Sequence, residues 1–191
     1  MLMRLTRPAL SLLIVMTLVV GLLYPLVVTL AAKLAFHDAA EGSLVYRDGK
    51  LVGSTLIGQS FSDPTHFWGR PSATSPQPYN ALSSSGSNLG PLNPALVKQV
   101  EGNVKALRAA DPDNRRPVPV DLVTASASGL DPHITPAAAY YQAARVARAR
   151  SLPVQRVDAL IAAHEEIPLL GVFGERRVNV LELNLALDRL R

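Results

Sequence analysis

The densest run of reactive side chains is Asp121 to Pro136, DLVTASASGLDPHITP. It offers Ser126 or Ser128 as a nucleophile, with Asp131 and His133 close by. Those residue types support acyl transfer when geometry aligns them. Pro132 stands between the acid and the imidazole, and no strand–turn–helix elbow presents either serine. The structural reading of the same run is a turn centred on Gly129, then a capped helix start at Thr135-Pro136, and local chemistry favours it. A span-tethered periplasmic serine hydrolase stays as the alternative.

A second chemistry is phosphate binding. Gly86, Asn88 and Gly90 can shape a backbone anion nest, and Arg145 with Arg148 can meet a phosphate. However, Arg145, Arg148 and Arg150 fall in the last turns of one helix, where positive charge complements the dipole and reads as solvated surface. His37, His66, His133 and His164 are widely spaced and form no H-E-x-x-H pattern, so they suggest surface or satisfied polar groups rather than a metal site. The chain has no cysteine, which excludes disulfides, thiolate catalysis and cysteine zinc sites. Phosphate-loop, dinucleotide and nucleophile-elbow signatures are missing too. The residues alone therefore name no catalytic, cofactor or metal-ligating set.

The elements that position these residues begin with an apolar rod. Residues 8–32, PALSLLIVMTLVVGLLYPLVVTLAA, contain no charged side chain. As a helix they measure roughly 37 Å, against a hydrocarbon core of about 30 Å, so they predict one membrane span. The run exceeds a signal-peptide core, no A-x-A site follows, and it lacks the polar stripe of a soluble core helix. Pro25 predicts a kink or loosening near Gly21 to Pro25. Arg4 and Arg7 precede the span, whereas Lys33 is soon followed by Asp38 and Glu41. This predicts residues 1–7 in the cytoplasm and 33–191 as an extracytoplasmic domain. The pI of 9.7 suggests nucleic acid, but beyond the span and its flanks sixteen basic residues face fifteen acidic ones. The soluble part thus lacks the positive surface a nucleic-acid binder needs.

Beyond the span, strands Ser43–Tyr46 and Leu51–Ile57 flank Asp48-Gly49, a type I′ hairpin signal. Pro71 to Val97 follows with no charged residue, and with Phe67, Trp68 and Tyr79 nearby it suggests an ordered loop or a surface buried under a partner. Asn93-Pro94 opens a helix with Leu96, Val97, Val100, Val104 and Leu107 on its apolar face, ended by Asp111-Pro112. Further helices are predicted over Ala137 to about Arg150, near Val154 to His164, and after Asn179, with Glu182 at capping-box spacing and Val180, Leu183, Leu187 and Leu190 facing the core. The fold class is α+β: one N-terminal transmembrane helix, then a single soluble domain with a β-hairpin and three to four helices.

Several ordered segments resemble one family, the C subunit of the Kdp potassium-transporting ATPase. They are Phe67 to Ala73, Tyr79-Asn80, Gly86 to Pro91, Asn93-Pro94, Asp121 to Ala137, and Arg177 to Leu181. The resemblance covers essentially the whole chain. Ala127, Leu92 and Arg176 depart from the pattern, which favours Gly, a small residue and Pro there. The family motif residues are Asp121, Ser128, Gly129, Asp131, His133, Pro136, Gln142, Asn179 and Asn184.

The resemblance implies an accessory, non-catalytic subunit of the inner membrane. Its partners would be a channel-like potassium-binding subunit, a P-type ATPase subunit and a small single-span subunit. It implies no tightly bound cofactor; ATP enters by the resemblance only, through a described role as a catalytic chaperone that raises the ATPase subunit's affinity for ATP, with some nucleotide contact of its own. An external domain conflicts with direct contact at a cytoplasmic ATP site, so that effect is expected as a coupling between distant sites. The expected partner interface comprises Gly21 in the span, where a small residue permits close helix approach, with Phe67, Trp68, Arg70, Tyr79, Asn80, Asn88 and Asn93 in and beside the uncharged loop.

Overall fold

A computed structural model describes residues 2–168 and 171–190. The chain divides after Leu44 into two units. The first is a helical rod: α1 (Leu2–Leu18), a π-helical turn (Val19–Leu23) and α2 (Tyr24–Ala35). The Tyr24 N–H donates to Val19 O, one residue further back than an α-helix allows. This wide turn comes immediately before Pro25, whose missing N–H interrupts the ordinary ladder, so the loosening expected there is present. Among the described residues, Leu5–Ala35 is the one helix long and apolar enough to cross a bilayer. It runs three residues beyond the expected 8–32 at each end. Its leucines, valines and isoleucines point outward, unlike those of a soluble core helix. Phe36 breaks the helix, and a short α3 (His37–Ala40) follows. Lys33 pairs with Glu41 at 2.7 Å.

The division falls at the first residue of the hairpin β1 (Leu44–Arg47) and β2 (Lys50–Ser54), and the rest of the hairpin belongs to the second unit. Asp48 and Gly49 have φ of 52° and 74°, the backbone that a type I′ turn needs. After a long irregular stretch come α4 (Pro94–Ala110), a 3₁₀ turn (Val120–Leu122), β3 (His133–Ile134), α5 (Pro136–Ala149), α6 (Val154–Ala163), β4 (Glu165–Glu166), β5 (Arg177–Asn179) and α7 (Val180–Leu187). The three short strands form an antiparallel sheet in the order β3-β5-β4, with His133 opposite Asn179 and Glu166 opposite Arg177.

Helix starts follow their caps. The Asn93 side chain accepts from Ala95 N, Thr135 from Ala138 N, and Asn179 from both Leu181 N and Glu182 N. The core gathers Phe67, Ile134, Val157, Ile161, Val178, Leu183 and Leu187. Alanines 138, 139, 143 and 147 are among the buried residues of α5, with Tyr141, Gln142, Arg145 and Val146. The apolar face of α4 reaches this core through Val100, Val104 and Leu107, but Val97 stays exposed. Val97 lies only one turn into the helix, where α4 has not yet reached the core. The observed class is α+β, with a hairpin and helices α4 to α7 after the rod.

Candidate functional site

Two helix amides hold the end of the irregular strip Asp63 to Trp68. Asn184 of α7 accepts from Phe67 N at 2.8 Å and donates to Phe67 O at 3.0 Å. Gln142 of α5 does the same for Trp68, accepting from its N–H at 2.8 Å and donating to its O at 3.1 Å. Each amide thus replaces a missing β partner for one residue of an irregular strand. Both side chains are buried, so neither can be lost without orphaning backbone groups.

Arginines of α5 complete the clamp. Arg145 is buried and donates to Pro64 O, His66 O and Gln142 Oε1. Its guanidinium lies 4.5 Å from the centre of the Trp68 ring. Burial lowers its pKa to about 10, leaving it cationic at neutral pH. Arg150 donates to Thr65 O and pairs with Asp188 at 2.6 Å. Asp188 also receives Arg47 of the hairpin and His66. Burial opposes ionisation of Asp188, but the bonds from Arg150, Arg47 and His66 outweigh it and hold the carboxyl below its ordinary range. The solvated-surface reading of these arginines is therefore wrong for Arg145 and Arg150. The helix-dipole rule describes only their own helix, while their partners lie some 80 residues earlier in the chain. Arg148 is more exposed and bonds Asp111 and Asp113.

The Asp121–Pro136 run is a scaffold. Gly129 has φ +66°, and a Cβ there would lie 2.5 Å from Ser85 O. Ser126 and Ser128 cap the turn, accepting from Gly129 N and Leu130 N. Asp121 accepts from Thr135 N at 2.7 Å, just ahead of Pro136 in the first turn of α5. Asp131 accepts from His133 N at 3.0 Å and pairs with Arg70 at 3.1 Å. Burial raises its pKa, but His133 and then Arg70 bring it below the usual carboxylate value. His133 lies between Asp131 and Glu166, at 3.5 Å from each. The serines bond each other and turn amides while the histidine faces carboxylates, so no nucleophile–base pair is assembled.

The expected interface residues separate into two groups. Phe67 is 0% exposed and belongs to the chain's own core, which removes it from any docking surface. Trp68, Arg70, Tyr79 and Asn80 are half-buried with internal partners. Trp68 Nε1 donates to Asp63 O, and Tyr79 donates its hydroxyl to Arg70 O. Burial, with Asp131 nearby, raises the Tyr79 phenol to about 12. Behind the loop, Ser72 accepts from Tyr79 N and donates to Gly129 O, and Thr74 accepts from Asn80 N and donates to Gln77 O. Asn88 and Asn93 are exposed. The apolar groups this loop turns outward are Leu82, 98% exposed, and Leu92, 94% exposed. In the rod, Gly21 has open space around it, with Thr17 Cγ2 at 3.9 Å from a built Cβ.

Of the nest residues, Gly86 backs directly onto Ala127, whose O lies 2.8 Å from a built Cβ, and Asn88 adopts φ +51°. Because Arg145 and Arg148 are engaged by this chain's own carbonyls and carboxylates, they do not present a phosphate clamp. Gln142 and Asn184 stand among the family-motif residues and Arg145 among the phosphate candidates, but the sequence assigns none of them to a clamp on Phe67 and Trp68. The available signal was an amide within an otherwise apolar helix face: Gln142 among Tyr141, Ala143 and Val146, and Asn184 beside Leu183 and Leu187.

Comparison with known proteins decides the family. A family profile described as "K+-transporting ATPase, c chain" matches residues 6–189. This chain belongs to the KdpC family. Among similar proteins, the potassium-transporting ATPase KdpC subunit of Polaromonas naphthalenivorans (strain CJ2) is 67% identical over 185 residues, covering 97% of this chain and 94% of that one. Those of Variovorax paradoxus (strain S110) and Dechloromonas aromatica (strain RCB) are 66% and 64% identical, over 95% and 96% of this chain and 94% and 96% of theirs.

Proposed function

We propose that this chain is a membrane-anchored, non-catalytic accessory subunit of an ATP-driven potassium uptake pump. Family membership over residues 6–189 carries the reading. The apolar helix Leu5–Ala35 supplies the anchor. The basic residues before it, with Asp38 and Glu41 after it, favour a cytoplasmic N-terminus and a periplasmic domain at the inner membrane. Its partners are the channel-like potassium-binding subunit, the P-type ATPase subunit and the small single-span subunit. Gly21 offers a partner helix a close approach within the bilayer.

The uncharged loop is the docking surface toward the channel-like subunit. Its hydrogen bonds to Ser72 and Thr74 hold it in one shape, which lowers the ordering cost of association. Leu82 and Leu92, with Asn88 and Asn93, are its outward groups. Any rise in the ATPase subunit's affinity for ATP is then a coupling across the membrane, without contact between this chain and nucleotide.

The test is the purified complex. Leu82→Asp combined with Leu92→Asp should release this subunit during affinity purification through the channel-like subunit and reduce potassium-stimulated ATP hydrolysis. The variant should keep the wild-type melting temperature, because both side chains are already in water. Full recovery of the complex would refute this surface. Protease cleavage of the domain from the cytoplasmic side of inverted vesicles would refute the orientation.

A further inference from the structure

The β1–β2 hairpin presents apolar groups that the domain does not cover. Its two-residue turn sets Tyr46 opposite Leu51, next to Asp48-Gly49. These two are 60% and 56% exposed, and Leu44 is also exposed. The hairpin is held to the domain: Arg47 pairs with Asp188 at 2.6 Å and Gln59 donates to Val52 O at 2.7 Å. Its tip is therefore a rigid wedge carrying an aromatic–aliphatic pair, with Lys50 exposed beside it.

The chain's own course selects the occupant. Leu44 follows Ala35, the last residue of the apolar helix, by nine residues, so even fully extended chain keeps the start of β1 within about 31 Å of the rod's end. The turn of α3 and the bond from Ser43 N to Asp38 O shorten that reach. Tyr46, Leu51 and Leu44 together fall far short of the roughly 800 Å² per partner that a stable protein interface buries. A lipid surface sets no such minimum, because the anchor already holds the domain beside it at high effective concentration. Tyrosine with an adjacent lysine is also the pairing that settles at headgroup depth.

We infer that the hairpin tip, through Tyr46 and Leu51, seats in the headgroup layer of the leaflet where the apolar helix ends, as a second contact with lipid. The inference rests on the membrane-anchored reading above.

The absence of cysteine makes the test clean. Single cysteines replace Tyr46, Leu51, Lys105 on exposed α4, and Leu18 in the rod, each labelled with an environment-sensitive nitrobenzoxadiazole probe. The full chain is reconstituted in phosphatidylcholine vesicles carrying a nitroxide, either at the headgroup or deep in the acyl chains. Headgroup nitroxide should quench Tyr46→Cys and Leu51→Cys at least threefold more than Lys105→Cys, with blue-shifted emission at both. Equal quenching at positions 46, 51 and 105 overturns the inference while the anchor stands, provided deep nitroxide still quenches Leu18→Cys. A tip shielded only when the other pump subunits are added, without lipid quenching, overturns it in favour of a protein contact. Failure to quench Leu18→Cys overturns the anchor and this inference with it.

Discussion

Replacing Asn184 by Ala should damage this domain more than its size suggests. The side chain is buried and satisfies both the N–H and the C=O of Phe67, a residue at the centre of the core. Alanine leaves two backbone groups without partners in an apolar surround, and water cannot reach them without opening the core. Each orphaned group costs about 1–3 kcal/mol, so the loss should be about 2–6 kcal/mol, with any residual cavity adding to it. For a domain of this size, that is a fall in melting temperature of at least about 4 °C. The assay is thermal and urea unfolding of the full chain in detergent, followed by fluorescence of Trp68. This is the only tryptophan in the chain, and it adjoins Phe67. Asn93→Ala provides the scale: its side chain caps α4 from an exposed position, so its removal should cost about 1 kcal/mol. If Asn184→Ala lost no more than Asn93→Ala, the clamp would not be holding the strip and the reasoning would fail.

Other perturbations test the same framework. Gly129→Ala places a Cβ at φ +66° and 2.5 Å from Ser85 O; about 1–2 kcal/mol of left-handed strain plus the clash should lower the urea midpoint, and an unchanged midpoint would remove Gly129 from its turn role. Asp188 has a folded-state pKa below its unfolded value of about 3.9. Its ionised form therefore stabilises the domain fully above about pH 5, and that contribution is lost as pH falls through the folded value. Asp188→Asn should lower stability at pH 7 and flatten the acid limb of a stability–pH profile below about pH 4; a parallel profile would refute the linkage.

The legible parts of this fold are those encoded by neighbours in sequence. Asp48-Gly49, Asn93-Pro94, Thr135-Pro136 and Asn179 each carry their own turn or cap chemistry, so the hairpin and three helix starts could be read directly. The apolar rod and the loosening before Pro25 are local in the same sense. The three-stranded sheet was not legible, since strands of two or three residues are too short to show an alternating pattern. The clamp was hidden for a different reason. Asn184 lies 117 residues from Phe67 and Gln142 lies 74 from Trp68, and no spacing rule connects them. Phe67 was misassigned to an interface because aromatics suit cores and interfaces alike, and only packing separates the two.

The wide turn at Val19–Leu23 has one more consequence. A π turn accommodates an extra residue, and each residue of a regular helix advances the side chains by about 100°. Downstream of Leu23, side chains therefore point about a quarter-turn or more away from where an unbroken helix would aim them. A helix packed along it in a bilayer would not stay in register with one stripe over the whole length. It would meet one flank near Thr17 and another beyond Tyr24, so each leaflet would see a different side of the same rod.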